Sequence, residues 1–284
     1  MFGISPSELA LLAAALLVGG AVTGFMAGIF GVGGGAVAVP VLYELFRILG
    51  VPDEVRMPLC IGTSLAIIIP TSIRSYRTHL AKGAVDTSIL RLWAVPVVVG
   101  VVMGSVVARY APPDLFKAVF VIVAGFSGLR LLVGKDSWRL GTTLPSNPVV
   151  VVCGWIIGVL SSLMGIGGGM LSNMFMTFYS RPIHQAVATS SGLGILISIP
   201  GALGYIYAGW PRAAQYPDVA ALQPPFAIGY ISLLGFLLFI PTSVWMAPIG
   251  ARVAHALSKR RLELAFGTFL LVISLRFLYS LIVS

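Results

Sequence analysis

The chain has 284 residues, of which 58% are hydrophobic and only 10% charged, with a mean hydropathy of +1.00. A soluble domain carries roughly a quarter of its residues as charges, so this sequence cannot cover a water-facing surface and reads as a membrane protein. Its net charge of +9, from 18 Lys+Arg against 9 Asp+Glu, is spread without the aromatic-interleaved basic clusters of a nucleic-acid face, which leaves cytoplasmic loops as its use.

Five apolar segments come first, at residues 8–30, 36–49, 57–80, 88–108 and 114–134. After the polar stretch Lys135–Asn147, five more follow at 148–165, 168–180, 185–208, 225–251 and 261–283. Strand-length alternation is absent, and lipid demands that backbone groups be satisfied within the segment, so the segments read as helices. The first lacks the basic region that opens a signal peptide and is read as a membrane helix. Segments 36–49 and 168–180 are short, reaching only about 20 Å at ~1.5 Å per residue, against a hydrocarbon core of ~30 Å.

Between the first two segments stands Gly31-Val32-Gly33-Gly34-Gly35. It fits a dinucleotide fingerprint superficially, but that motif needs a preceding strand, and here a membrane helix precedes it. Two readings stay open. Glycines let helices pack closely, yet three in succession weaken a continuous helix by roughly 1 kcal/mol each. A break at this point would open the next helix with unpaired N–H groups and a partial positive charge, a fitting place for an anion.

Further along, Glu44 lies near the end of the short second segment, where a loop-edge role suits it better than a proton path. Thr63-Ser64 precede Pro70 within an apolar helix. Such hydroxyls either bond back to their own helix or donate to a bound anion. Arg130 lies near the end of the fifth segment, where snorkelling to the interface is the ordinary behaviour.

These features recur in the second half. Gly165-Ile166-Gly167-Gly168-Gly169 repeats the glycine motif at an offset of 134, and Thr189-Ser190 and Gly209 repeat Thr63-Ser64 and Gly83 at 126. Gly250–Leu278 matches Gly104–Leu132 at 146, with Arg276 at the place of Arg130. The order of the matches indicates a duplication, with residues 1–138 as the first repeat, 147–284 as the second, and 139–146 joining them in one integrated membrane domain. Asn173 in the second short segment is a further candidate donor, where the first half has Val39, and Phe178 replaces Glu44.

Five segments per repeat is an odd number, so the second repeat enters the membrane upside down. If all ten segments cross, Lys and Arg divide twelve to six between the two sides, and the positive-inside rule places both termini outside. The expected fold is therefore an all-α polytopic membrane protein with about ten membrane segments, two of them short, in a 5+5 inverted repeat. Cys60 and Cys153 make no metal pattern, and His79, His184 and His255 are far apart. No metal or cofactor is expected. Ser161-Ser162 have no histidine base nearby, and no paired carboxylates or G-x-S-x-G elbow appears, which argues against an enzyme.

Two G-x-G-G-G motifs, each followed by Thr-Ser in an apolar helix, resemble the TauE/SafE sulfite-exporter family along nearly the whole chain. The resemblance implies a secondary transporter of the cytoplasmic membrane that exports a small sulfur-containing anion, sulfite or an organosulfonate. Its partners would be that anion and the lipid bilayer, with no nucleic acid. By similarity the binding residues are Gly33, Gly34, Gly35, Thr63, Ser64, Gly167, Gly168, Gly169, Thr189 and Ser190, to which the residue reading adds Asn173. The alternatives are an anion channel-like pore and a membrane-embedded enzyme. Arg56-Met57-Pro58 precedes the first Thr-Ser and Arg181-Pro182-Ile183-His184 the second, so the two halves are not equivalent ligands.

Overall fold

The computed structural model describes residues 6–30, 34–133, 140–215, 224 and 226–283. Ten helices are formed among them. The first five are α1 (Pro6–Phe30), α2 (Gly35–Ile48), α3 (Asp53–Ala81), α4 (Thr87–Tyr110) and α5 (Pro113–Val133). The others are α6 (Asn147–Met164), α7 (Gly169–Phe178), α8 (Ile183–Gln215), α9 (Leu233–Ala256) and α10 (Lys259–Val283). Local chemistry sets several starts. Pro52 lies in extended backbone ahead of the first-turn acids Asp53 and Glu54, which favour a helix N-terminus. The Asp86 carboxylate accepts from the N–H groups of Ser88 and Ile89, each at 3.2 Å, and caps α4.

Eight helices are long and apolar enough to cross a membrane, and α2 and α7 are not among them. At ~1.5 Å per residue these two measure about 21 and 15 Å. The expectation that all ten segments cross therefore fails for α2 and α7 on length. A second difference lies at segment 225–251, which was read as one apolar span. A small antiparallel hairpin, β1 (Ala227–Ile228) and β2 (Ile231–Ser232), precedes α9 there. Gly229, with φ +54°, turns it against the backbone of Ile206.

The centre of the bundle is the antiparallel pair α3 and α8. Buried residues make up 72% and 67% of their apolar stretches, against 22–44% for the other spans. The pair is close because small residues alternate along it: Gly62 faces Tyr205, Gly201 faces Leu65, and Gly192 faces Tyr76. Around it, α1 runs parallel to α9, with Gly20 at Phe239, Gly24 at Ser243 and Gly250 at Phe25. In the same manner α6 runs parallel to α4, with Gly158 at Val97 and Gly104 at Ser162. Antiparallel α5 and α10 meet at Gly128 and Gly267, and the Phe120 and Phe277 rings pack edge-on at 5.1 Å. Exposed Val95, Val102, Val106, Ile122 and Val272 point outward, as a lipid-facing surface requires.

One end of the bundle carries a charged cluster. Lys117 on α5 is fully buried, and its ammonium lies 2.5 Å from Asp53 Oδ2 and 3.3 Å from Asp114 Oδ1. The Arg56 guanidinium bonds Asp53 at 2.9 Å and the Val51 carbonyl at 2.6 Å, and Tyr43 donates to Asp53 at 3.0 Å. Arg276 of α10 lies 3.1 Å from Glu44 of α2. At the matching place Arg130 of α5 lies 4.0 Å over the ring of Phe178, the last residue of α7. Both arginines thus find partners on the short helices rather than only snorkelling to the interface.

Candidate functional site

The two glycine motifs break the chain. Gly34 (φ +69°) ends the run into α2, while Gly165 (φ +67°) closes α6 and Gly168 (φ +74°) opens α7. Left-handed backbone is costly for any residue with a Cβ, which is why glycine stands at these turns. Gly31 to Gly33 lie outside the described residues, so the expected role of Gly33 has no geometry here.

The breaks meet. A methyl group added at Gly35 would lie 2.9 Å from the Gly165 carbonyl and 3.0 Å from Ile166 Cα. Gly167 approaches Gly194 of α8, and Ile68, midway along α3, touches both motifs. The starts of α2 and α7 therefore face one buried place at the core of the bundle. Neither start has a side-chain cap, and the first N–H groups of a helix have no partner within it. Gly169 opens α7 as a buried residue of that first turn.

Polar side chains gather at the second break more than at the first. Ser161 is fully buried, its hydroxyl has no hydrogen-bond partner among the described residues, and it lies 3.7 Å from where a Cβ on Gly168 would sit. The residue matching it next to Gly34 is Ala27. Ser198 Oγ and Asn173 Oδ1 are also buried without a partner. Ser172 donates to the Gly168 carbonyl at 2.8 Å. Ser161 appears in the sequence only as half of a serine doublet; its unpaired hydroxyl becomes visible when Gly168 is folded against it.

The Thr-Ser pairs divide by residue. Ser64 stays at the site and donates to the Gly165 carbonyl at 2.8 Å, fixing one break to α3. Ser190 donates at 2.9 Å to Val187 in its own helix. Thr63 accepts from the backbone N–H of Ser232 at 3.0 Å, and Thr189 from that of Asp86 at 2.9 Å. Each threonine therefore holds the residue just before a distant helix, α9 and α4 in turn. That bond spans 169 residues in one case and 103 in the other, and no local pattern announces it.

Among the described residues no group of His, Cys, Asp or Glu is placed to hold a metal. Glu44 bonds Arg47 at 2.6 Å at the far end of α2, away from the breaks.

Comparison with known proteins covers most of the chain. The family model described as Sulfite exporter TauE/SafE matches residues 16–277. A probable membrane transporter protein of Haemophilus influenzae is 30% identical, covering 91% of this chain and 95% of its own. One of Methanocaldococcus jannaschii is 25% identical over 94% of this chain and 96% of its own. A third, YunE of Bacillus subtilis, is 23% identical over 95% and 98%. No solved structure matches.

Proposed function

The chain belongs to the sulfite exporter TauE/SafE family, and on that premise we propose that it is a secondary membrane transporter of a small sulfur-containing anion. The observation that carries this reading is the meeting of Gly35 with Gly165–Ile166, which directs the uncapped starts of α2 and α7 at one buried place. Two helix N-termini attract negative charge without a buried cation. The unpaired Ser161 hydroxyl supplies a directed donor beside Gly168. Gly33 to Gly35 and Gly167 to Gly169 are the binding elements in this reading, with Asn173 behind them. Ser64 shapes the site, while Thr63, Thr189 and Ser190 serve the scaffold.

The 5+5 inverted repeat, residues 1–138 against 147–284, is part of the proposal. Its support is the exchange of partners: α1 with α9 as α6 with α4, Thr63 with Ser232 as Thr189 with Asp86. In this arrangement α1–α2 and α6–α7 are hairpins whose turns meet at the middle of α3. The end of α7 supports that: the Leu140 N–H reaches the Phe178 carbonyl at 2.8 Å, beside the linker from which α6 departs. A hairpin and a pair of crossings return to the same side, so the twelve-to-six division of basic residues is kept. Both termini then lie outside the cytoplasmic membrane.

Transport would proceed by one repeat rocking against the other around the shared site. Outward movement of an anion is driven by an inside-negative potential, at ~2.3 kcal/mol per charge per 100 mV. The test is flux of labelled sulfite, sulfoacetate and taurine in proteoliposomes. Saturable, counterflow-capable flux of a sulfur anion is expected. Cation flux with none of these sulfur compounds carried would sink the reading, and electrodiffusive currents would turn it to a channel.

A further inference from the structure

One side chain of α3 is packed against both glycine breaks. A methyl group built on Gly35 would lie 2.8 Å from Ile68 Cδ1, and one built on Gly167 would lie 2.9 Å from Ile68 Cγ2. Ile68 is thus wedged against both breaks at once, and it is only 2% exposed. It continues a stripe of α3 that runs along the second break. Ser64 bonds Gly165, Ile68 touches Gly167 one turn later, and Ser72 faces Gly194 a turn beyond that.

The matching stripe on α8, at the same offset of 126, is Ser190, Gly194 and Ser198. Serines therefore recur at both ends, and the middle position differs: a branched four-carbon side chain on α3, none on α8. From α8 the bare backbone of Gly194 reaches Gly167, its Cα 3.6 Å from where a methyl group on Gly167 would sit, whereas from α3 a whole side chain reaches it.

We infer that Ile68 is the specificity-determining residue of the anion site, an apolar plug against both breaks whose bulk limits substrate size. This rests on the transport reading above. An isoleucine at χ1 has few alternatives in a helix, so the plug is stiff and its volume is felt directly by the ligand. A hydrophobic wall discriminates by roughly 10–200-fold per methylene.

The experiment compares wild type, Ile68→Ala and Ile68→Phe in proteoliposomes with sulfite and the larger sulfoacetate as probes, and records thermal melting of each. Ile68→Ala is expected to raise the sulfoacetate-to-sulfite rate ratio by about tenfold or more, and Ile68→Phe to slow both anions with melting preserved. Ile68→Val, one methyl smaller, gives the same direction at lower amplitude should either variant fail to fold. An unchanged ratio in folded Ile68→Ala or Ile68→Val, in a protein whose wild type carries sulfite, overturns the inference alone. A wild type that carries neither anion overturns the transport reading, and this inference with it.

Discussion

Thr63 on α3 accepts a hydrogen bond from the backbone N–H of Ser232, 169 residues later in the chain. Thr189 does the same for Asp86, and both threonines are fully buried. Ser232 and Asp86 stand at one another's place in the two halves, at the offset of 146. Each is also the cap of the helix that follows, since Ser232 Oγ accepts from the Gly235 N–H at 3.1 Å. The pair of bonds is one device used twice.

Replacing Thr63 by valine leaves the buried Ser232 N–H without an acceptor, which costs about 1–3 kcal/mol, and Thr189→Val does the same to the half-buried Asp86 N–H at lower cost. Thr63→Val and Thr189→Val are expected to lower the melting temperature in detergent, with Thr63→Ser recovering most of the loss. Flux per folded molecule should stay near wild type. A melting temperature unmoved by Thr63→Val would show that the bond contributes nothing to stability.

The glycine turns are expected to differ in tolerance. At Gly34 the nearest atom to an added Cβ is Ala27 Cβ at 3.8 Å, so Gly34→Ala bears only the left-handed backbone, about 1–2 kcal/mol. At Gly168 the added methyl also collides with Ile197 Cδ1. Gly168→Ala should therefore impair sulfite flux more than Gly34→Ala. Leucine at either position should abolish it while leaving the protein in the membrane. Equal, near-normal flux in both leucine variants would remove the motifs from the mechanism.

Much of this was legible in advance. The ten helices and the two breaks follow from apolar run length and from three adjacent glycines. The equivalence of Arg130 with Arg276 and of Phe178 with Glu44 is written in the offsets, and the fold pairs Arg276 with Glu44 and Arg130 with Phe178. What could not be read were contacts between distant segments. Thr63 and Thr189 accept bonds from segments far along the chain, which no local pattern announces. Ile68 looked like any core residue until two breaks closed on it. Segment 185–208 falls short of its helix, since α8 continues to Gln215.

The charged cluster makes an ordering testable. Asp53→Asn leaves the fully buried Lys117 ammonium with only the 3.3 Å contact to Asp114, and breaking a buried ion pair costs up to about 3–5 kcal/mol. Lys117→Met is milder, since Asp53 is 38% exposed at its side chain and keeps Arg56 and Tyr43. Thermal melts should rank wild type above Lys117→Met above Asp53→Asn. The reverse order would mean that the ammonium is hydrated.

Topology is open to thiol labelling after Cys60 and Cys153 are replaced. The exposed positions Glu54 and Lys82 flank α3, and exposed Pro182 follows α7. With cysteine at each in turn, an impermeant reagent added outside should reach position 54 and spare 82 and 182. Labelling of 182 together with 54 would contradict the inverted hairpin of α6 and α7.

The pairing of α1 with α9 has a consequence for how the protein is made. A ribosome finishes α1 more than 200 residues before it begins α9, and until then α1 has α2 against Gly19 but lacks the helix that covers Gly20 and Gly24. The amino-terminal half cannot mature as a unit, because α4 likewise waits for α6 and Thr63 waits for Ser232. Biogenesis must then be a late, concerted closure rather than a sequential one. A nascent chain arrested before Leu233 would be a prime target for membrane quality control.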